Sequence, residues 1–186
     1  DIIQIKKAYI NLNSNTGLSA WLKGEKLYLT PEMTDELLEE SMLNAGNVFT
    51  KRKLEKFILL LESKYIESGY FNATFIQNID LDTQNRVGIE LEIKQGDRAT
   101  IDLFRISGSE KFSEKELLKL FKIGEADMAV INYFTNKDNF TDSALRNGIN
   151  LMTQTYFDSG YLDFELTNVE SNLDENKEKI SIHIEI

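Results

Sequence analysis

The side chains that could do chemistry are few. Among 186 residues there is one histidine, His183, and no cysteine. The missing thiols exclude disulfides, thiolate metal sites and cysteine nucleophiles. His183 falls inside an alternating run, with Ile180, Ile182 and Ile184 on one side and Ser181, His183 and Glu185 on the other. That pattern puts it on the wet face of a strand, with no second histidine to share a metal. Carboxylates are plentiful, 31 Asp and Glu against 21 Lys and Arg. A pair such as Glu39-Glu40 lies on a helix surface, where no apolar pocket pushes two pKa values apart into an acid and a base. The patterns GxGxxG, GxxxxGKS and GxSxG are absent. No catalytic residue, metal or cofactor is expected. The formal charge of −10 opposes a phosphate backbone or an anionic membrane surface.

What the chain has instead is a repeat. Phe49-Thr50, Leu54, Tyr65 and Ser68-Gly69-Tyr70 recur as Phe140-Thr141, Leu145, Tyr156 and Ser159-Gly160-Tyr161, an offset of 91 (Gly69 to Gly160). Read without a gap, the same offset lays Ile89, Leu91 and Ile93 on Ile180, Ile182 and Ile184. A period this long, repeated once, marks two copies of one small domain rather than a solenoid. The boundary is expected at Gly96-Asp97, giving domains 1–96 and 97–186. Hydrophobic residues make up 41% of the chain, enough for a modest core in each copy. The absence of cysteine is compatible with an oxidising compartment. No apolar run reaches the roughly 20 residues of a membrane span. The chain starts without Met and stops inside a strand pattern, and so reads as a segment of something longer.

Each copy reads β-α-α-β-β. In the second, Thr100 to Ser107 is a β-branched and aromatic strand ending at Gly108. Ser113-Glu114-Lys115-Glu116 is a capping box opening a helix with Leu117, Leu118, Leu120 and Phe121 on its apolar face, and Gly124 can end it. Thr141 caps a second helix with the face Leu145, Ile149, Met152 and Tyr156. Strands follow at Tyr161–Glu170 and Glu178–Ile186, around the turn Asp174-Glu175-Asn176-Lys177. In the first copy the strand Ile2–Leu12 is followed by a polar insertion near 13–24. A helix between Thr30 and Leu43 carries Pro31 at its first position and ends by Gly46. The second helix is Lys51–Glu67. Strands lie at Phe71–Ile79 and Val87–Lys94, around Asp82-Thr83-Gln84-Asn85. One wet sheet face implies a single layer of helices, an α+β fold. Gly69, Gly108 and Gly160 are read as structural turns. Tyr65, Tyr70, Tyr156 and Tyr161 are expected to pack over the helix ends. Trp21, within the insertion, is read as a local lid rather than a partner anchor.

The strand-turn-helix element Ile106-Ser107-Gly108-Ser109-Glu110-Lys111-Phe112-Ser113-Glu114-Lys115-Glu116-Leu117 and the helix end Tyr156-Phe157-Asp158-Ser159-Gly160-Tyr161 resemble the POTRA domains of the BamA/Omp85 outer-membrane assembly family. Ser109 stands where that pattern has Asn. The first copy lacks the Gly-Asn turn, having Asn11-Leu12-Asn13-Ser14, but matches at Tyr65-Ile66-Glu67-Ser68-Gly69-Tyr70. The stretch Glu125–Asn139 is similar to the third such domain, which implies the second and third domains of a longer array.

The resemblance implies, for each domain, a three-stranded mixed sheet on two antiparallel helices, with the third strand central. The second strands are then edges whose unpaired N–H and C=O groups can template another strand. The residues expected to carry such contacts are Tyr161, Leu162, Asp163, Phe164, Glu165, Leu166, Phe71, Ala73 and Phe75. Acidic side chains there could equally protect the edge from aggregation, and both readings stand. The N–H of Phe164 is expected on the open edge.

By the same resemblance the segment is a non-catalytic scaffold at the periplasmic face of the outer membrane. Its implied partners are unfolded outer-membrane proteins, accessory lipoproteins of the assembly complex and a periplasmic chaperone. It would meet the membrane only through a barrel domain absent from this segment. The alternative is a POTRA pair from a secretion or translocation porin. A KH-like nucleic-acid module fits less well: neither Gly46-Asn47-Val48 nor residues 125–139 carry a G-x-x-G loop, and the charge is wrong.

Overall fold

The computed structural model describes residues 2–11, 27–121 and 139–186. Trp21, the whole 13–24 insertion, Gly124 and nearly all of the 125–139 stretch lie outside them. The chain divides into two compact units, Asp1–Ile66 with Asn72–Gly96, and Glu67–Phe71 with Asp97–Ile186.

In the first unit β1 (Gln4–Asn11), α1 (Pro31–Glu40), α2 (Lys51–Glu67), β2 (Thr74–Leu81) and β3 (Arg86–Lys94) follow in order. The second has β4 (Thr100–Ser107), α3 (Glu114–Leu118), α4 (Asp142–Asp158), β5 (Asn168–Leu173) and β6 (Lys179–Glu185). The sheet orders are β1-β3-β2 and β4-β6-β5. The third strand is central in each, parallel to the first and antiparallel to the second. Val87, Ile89, Leu91 and Ile93 of β3 and Ile180, Ile182 and Ile184 of β6 are buried. His183 is exposed on the other face.

The helices begin where local chemistry dictates. Thr30 Oγ1 accepts from the Met33 N–H at 3.2 Å, and Thr141 Oγ1 from the Ala144 N–H at 3.3 Å. At Ser113 the box is reciprocal: its hydroxyl oxygen accepts from the Glu116 N–H, and the Glu116 carboxylate accepts from the Ser113 N–H. Leu54, Phe57, Leu61 and Tyr65 form the buried stripe of α2, and Leu145, Gly148, Met152 and Tyr156 that of α4.

The end of α1 differs from expectation. It stops at Glu40, before Gly46. The Leu43 N–H bonds to the Leu38 carbonyl and the Met42 N–H to the Glu39 carbonyl, which places Met42 in the left-handed position at φ 57. This is the two-bond Schellman closure, with methionine where glycine is usual. The Ser41 hydroxyl also donates to the Leu37 carbonyl at 2.7 Å, occupying an orphan acceptor before Gly46 is reached. The end of α4 uses the same two bonds with Gly160 at φ 89.

The repeat also drifts. Val87 pairs with Ile5 and Ile180 with Ile101, each immediately before a bulge in the first strand. These equivalent residues lie 93 apart, not 91. Part of the drift is in the hairpin: Asp82 N–H bonds to the Arg86 carbonyl, while Asp174 N–H reaches one residue further, to Lys179. A slip of two preserves which side chains face the core, so alternation alone does not reveal it.

Candidate functional site

Each sheet has two edges, and the two are built differently. In β1 the register breaks between Ile5 and Lys7, leaving Lys6 as an extra residue. In β4 it breaks between Ile101 and Leu103, leaving Asp102. Both bulged residues are charged and ion-paired, Lys6 with Asp82 at 3.8 Å and Asp102 with Lys179 at 3.5 Å. A bulge bearing a charge twists an edge away from regular pairing. The β2 strand has no such break. It pairs with β3 at eight consecutive residues, Thr74 to Leu81. Seven of those eight are exposed, Phe75 being the half-buried one.

Residues directly opposite share a sheet face. Ile79 and Leu81 lie opposite Ile89 and Val87, on the core side, yet they are 49% and 61% exposed. They form an apolar ledge beside the free edge. Ile76, Asn78 and Asp80 lie opposite Glu92, Glu90 and Gly88 on the outer face. There, Gly88 opens a groove of about 470 Å³ between Lys7 and Tyr9 on one side and Asn78 and Asp80 on the other. The Asp80 carboxylate lies over the glycine, where a Cβ would come within 2.4 Å of Oδ1. Partial burial and the neighbouring Glu90 carboxylate raise the Tyr9 phenol above its ordinary pKa.

The second unit's edge does not run where expected. Its strand is β5, Asn168–Leu173, and Tyr161–Leu166 precede it. The reason is Phe164. Its ring stacks on Tyr156 at 4.0 Å between centroids, and its N–H donates to the Tyr161 carbonyl rather than to an open edge. Leu166 also packs against the core, while Leu162, Asp163 and Glu165 are exposed on this pre-strand segment. Tyr156 is buried as expected, but Tyr161 is 44% exposed. In the first unit the repeat places Ala73 where Phe164 stands, so no ring draws the chain inward and β2 begins earlier. Phe71 and Ala73 nevertheless fall before β2, and only Phe75 of the three lies on it. Ile76 and Ile79 lay inside the expected strand but outside the expected contact residues, and Leu81 and residues 171–173 lie beyond the expected strand ends. Their signal was alternation continuing to Leu81.

The three turn glycines adopt left-handed backbone, Gly69 at φ 86, Gly108 at φ 87 and Gly160 at φ 89. A side chain at Gly108 would also strike the Ile186 carbonyl at 2.2 Å. Ser109 fills the position of the family asparagine through its hydroxyl. Ser109 Oγ donates to the Phe112 carbonyl at 2.7 Å, accepts from the Phe112 N–H at 3.1 Å and lies 2.6 Å from Tyr156 Oη. Ser107 Oγ and His183 Nε2 are 2.9 Å apart on the open outer face. Glu170, across from His183, takes the Asn168 amide at 2.8 Å. Among the described residues no group of three side chains could hold a metal, and no helix is long and apolar enough to cross a membrane.

Two βααββ units with a central third strand and one regular edge each define a tandem strand-edge module. The model for POTRA, described as a surface antigen variable number repeat, matches residues 29–96 and again 99–186. The chain belongs to the POTRA family, as two tandem domains. It is 24% identical over 149 residues to the outer membrane protein assembly factor BamA of Neisseria meningitidis serogroup B, a match covering 79% of this chain and 18% of that protein. It therefore spans less than a fifth of that relative. Among solved structures it is similar to Haemophilus influenzae BamA POTRA3-5, at 17% identity and TM-score 0.45 over 100% of this chain and 66% of the other. It is also similar to Haemophilus influenzae BamA POTRA4, at 26% identity and TM-score 0.37 over 52% of this chain and 95% of that one.

Proposed function

We propose that this segment is a non-catalytic periplasmic scaffold in outer-membrane protein assembly that holds unfolded β-strands of its clients by strand addition. The observation that carries the reading is the contrast between edges: β2 is regular, exposed and flanked by an apolar ledge, while β1 and β4 carry charged bulges. An added strand would bond to the free backbone groups of β2, each bond worth about 1 kcal/mol net. Covering the exposed parts of Ile79 and Leu81 adds about 1 kcal/mol apiece. Main-chain pairing tolerates many sequences, which suits a varied client set. The shorter β5 edge is a second, weaker station. Docking of accessory subunits, and a place as second and third domains of a longer array, belong to the same proposal.

The test is an amide NMR titration with a peptide from an unfolded outer-membrane β-strand. Shifts along residues 74–81, with smaller ones along 168–173, are expected. Shifts confined to β1 or β4 would refute the edge assignment. No shifts at millimolar peptide would leave the domains as spacers or docks for folded partners.

A further inference from the structure

The two faces of β2 differ in a way that bare backbone pairing does not require. On the core side the uncovered residues are Ile79 and Leu81. On the outer side the same stretch carries Asp80, opposite Gly88, with Glu90 diagonal to it and Lys7 across the groove on β1. Glu92 accepts the Asn78 amide at 3.0 Å. The Asp80 backbone pairs with Gly88 of β3, while its carboxylate makes no hydrogen bond or ion pair among the described residues. The chain as a whole carries −10.

A strand added to β2 places alternate side chains beside these two sets. Those on the core side meet Ile79 and Leu81. Those on the outer side meet Asp80 as a direct cross-strand neighbour, close enough for a long cation to reach. We propose that β2 reads side chains as well as backbone, preferring extended segments in which apolar residues alternate with Lys or Arg. The inference rests on the strand-addition reading and adds a sequence preference to it. Ile79 and Leu81 read the apolar phase, and Asp80 reads the charge.

The experiment uses the whole chain and three blocked eight-residue peptides: alternating Val and Lys, alternating Val and Glu, and four Val followed by four Lys. The third has the charge of the first without its alternation. The alternating Val/Lys peptide is expected to shift residues 74–81 and bind about threefold more tightly than the Val/Glu peptide, as one opposite-charge cross-strand pair allows. Asp80→Asn should close most of that gap. Ile79→Ser should weaken both alternating peptides. Unchanged β3 amides in the free variants verify the fold. Equal binding of the Val/Lys and Val/Glu peptides at β2 overturns the charge preference and leaves strand addition standing. Equal binding of the block peptide overturns the alternation. If neither alternating peptide shifts β2, strand addition itself falls.

Discussion

Gly148→Ala should destabilise the second domain, although the same change in most helices is stabilising. Gly148 sits inside α4 and is buried. Replacing a helix-interior glycine by alanine ordinarily gains about 1 kcal/mol. Here the new methyl would lie 2.0 Å from Cδ1 of Phe121 and 2.5 Å from its Cε1 and Cγ. These are ring atoms of a side chain only 1% exposed, packed edge-on against Phe104 at 4.8 Å between centroids. The ring cannot swing away without disturbing that pair. Overpacking of this kind costs about 1–3 kcal/mol and adds to any strain in α4. The net expectation is a loss of up to about 2 kcal/mol.

The decisive comparison is a double-mutant cycle with Phe121→Val, which removes the clashing atoms. In that background Gly148→Ala should become stabilising by about 1 kcal/mol, so the coupling should equal the overpacking cost, about 1–3 kcal/mol. Amide hydrogen exchange at Ile182, buried in the centre of β6, reports the second domain separately from the first. A stabilising Gly148→Ala in the otherwise unchanged chain would refute the reasoning.

Further outcomes follow from other contacts. Met42→Gly should stabilise the first domain by about 1 kcal/mol, because Met42 holds a left-handed backbone at φ 57 while 59% exposed, and urea denaturation will read it. Phe164→Ala should weaken the second domain by about 2–4 kcal/mol through the lost stack on Tyr156 yet leave peptide shifts on β2 intact; equal loss of β2 binding would contradict the separation of core and edge. Ile79→Lys should abolish strand addition at β2 at little cost in stability, since the site is already half exposed, and a normal titration of that variant would count against the edge. Asp82 is held below its ordinary pKa chiefly by the Arg86 N–H, Asp174 by the Lys179 N–H and Glu116 by the Ser113 hydroxyl. As pH falls, the unfolded chain takes up these protons first. Their stabilisation is therefore present above the ordinary carboxylate range, near pH 4, and lost below it. Urea midpoints should drop through that window, and less steeply in Asp82→Asn/Asp174→Asn.

What the residues disclosed in advance was what neighbours in sequence decide. Thr30, Ser113 and Thr141 announce helix starts because a cap bonds three residues away, and Leu145, Met152 and Tyr156 of the α4 stripe follow from spacings of three and four. The central third strand followed from the family resemblance rather than from spacing. The misplaced features depend on distant partners. Whether Phe164 joins a strand is decided by Tyr156. The bulges at Lys6 and Asp102 exist only in the pairing of strands far apart in the chain. The two-residue drift hides inside a two-residue period.

Those bulges set a direction of growth. A sheet open at both edges can add strands indefinitely, and that is the geometry from which fibres grow. In each of these sheets a charged bulge interrupts one edge, so on the strand-addition reading a sheet would extend from its other edge alone. Growth in one direction rather than two would halve the places where a stack can start.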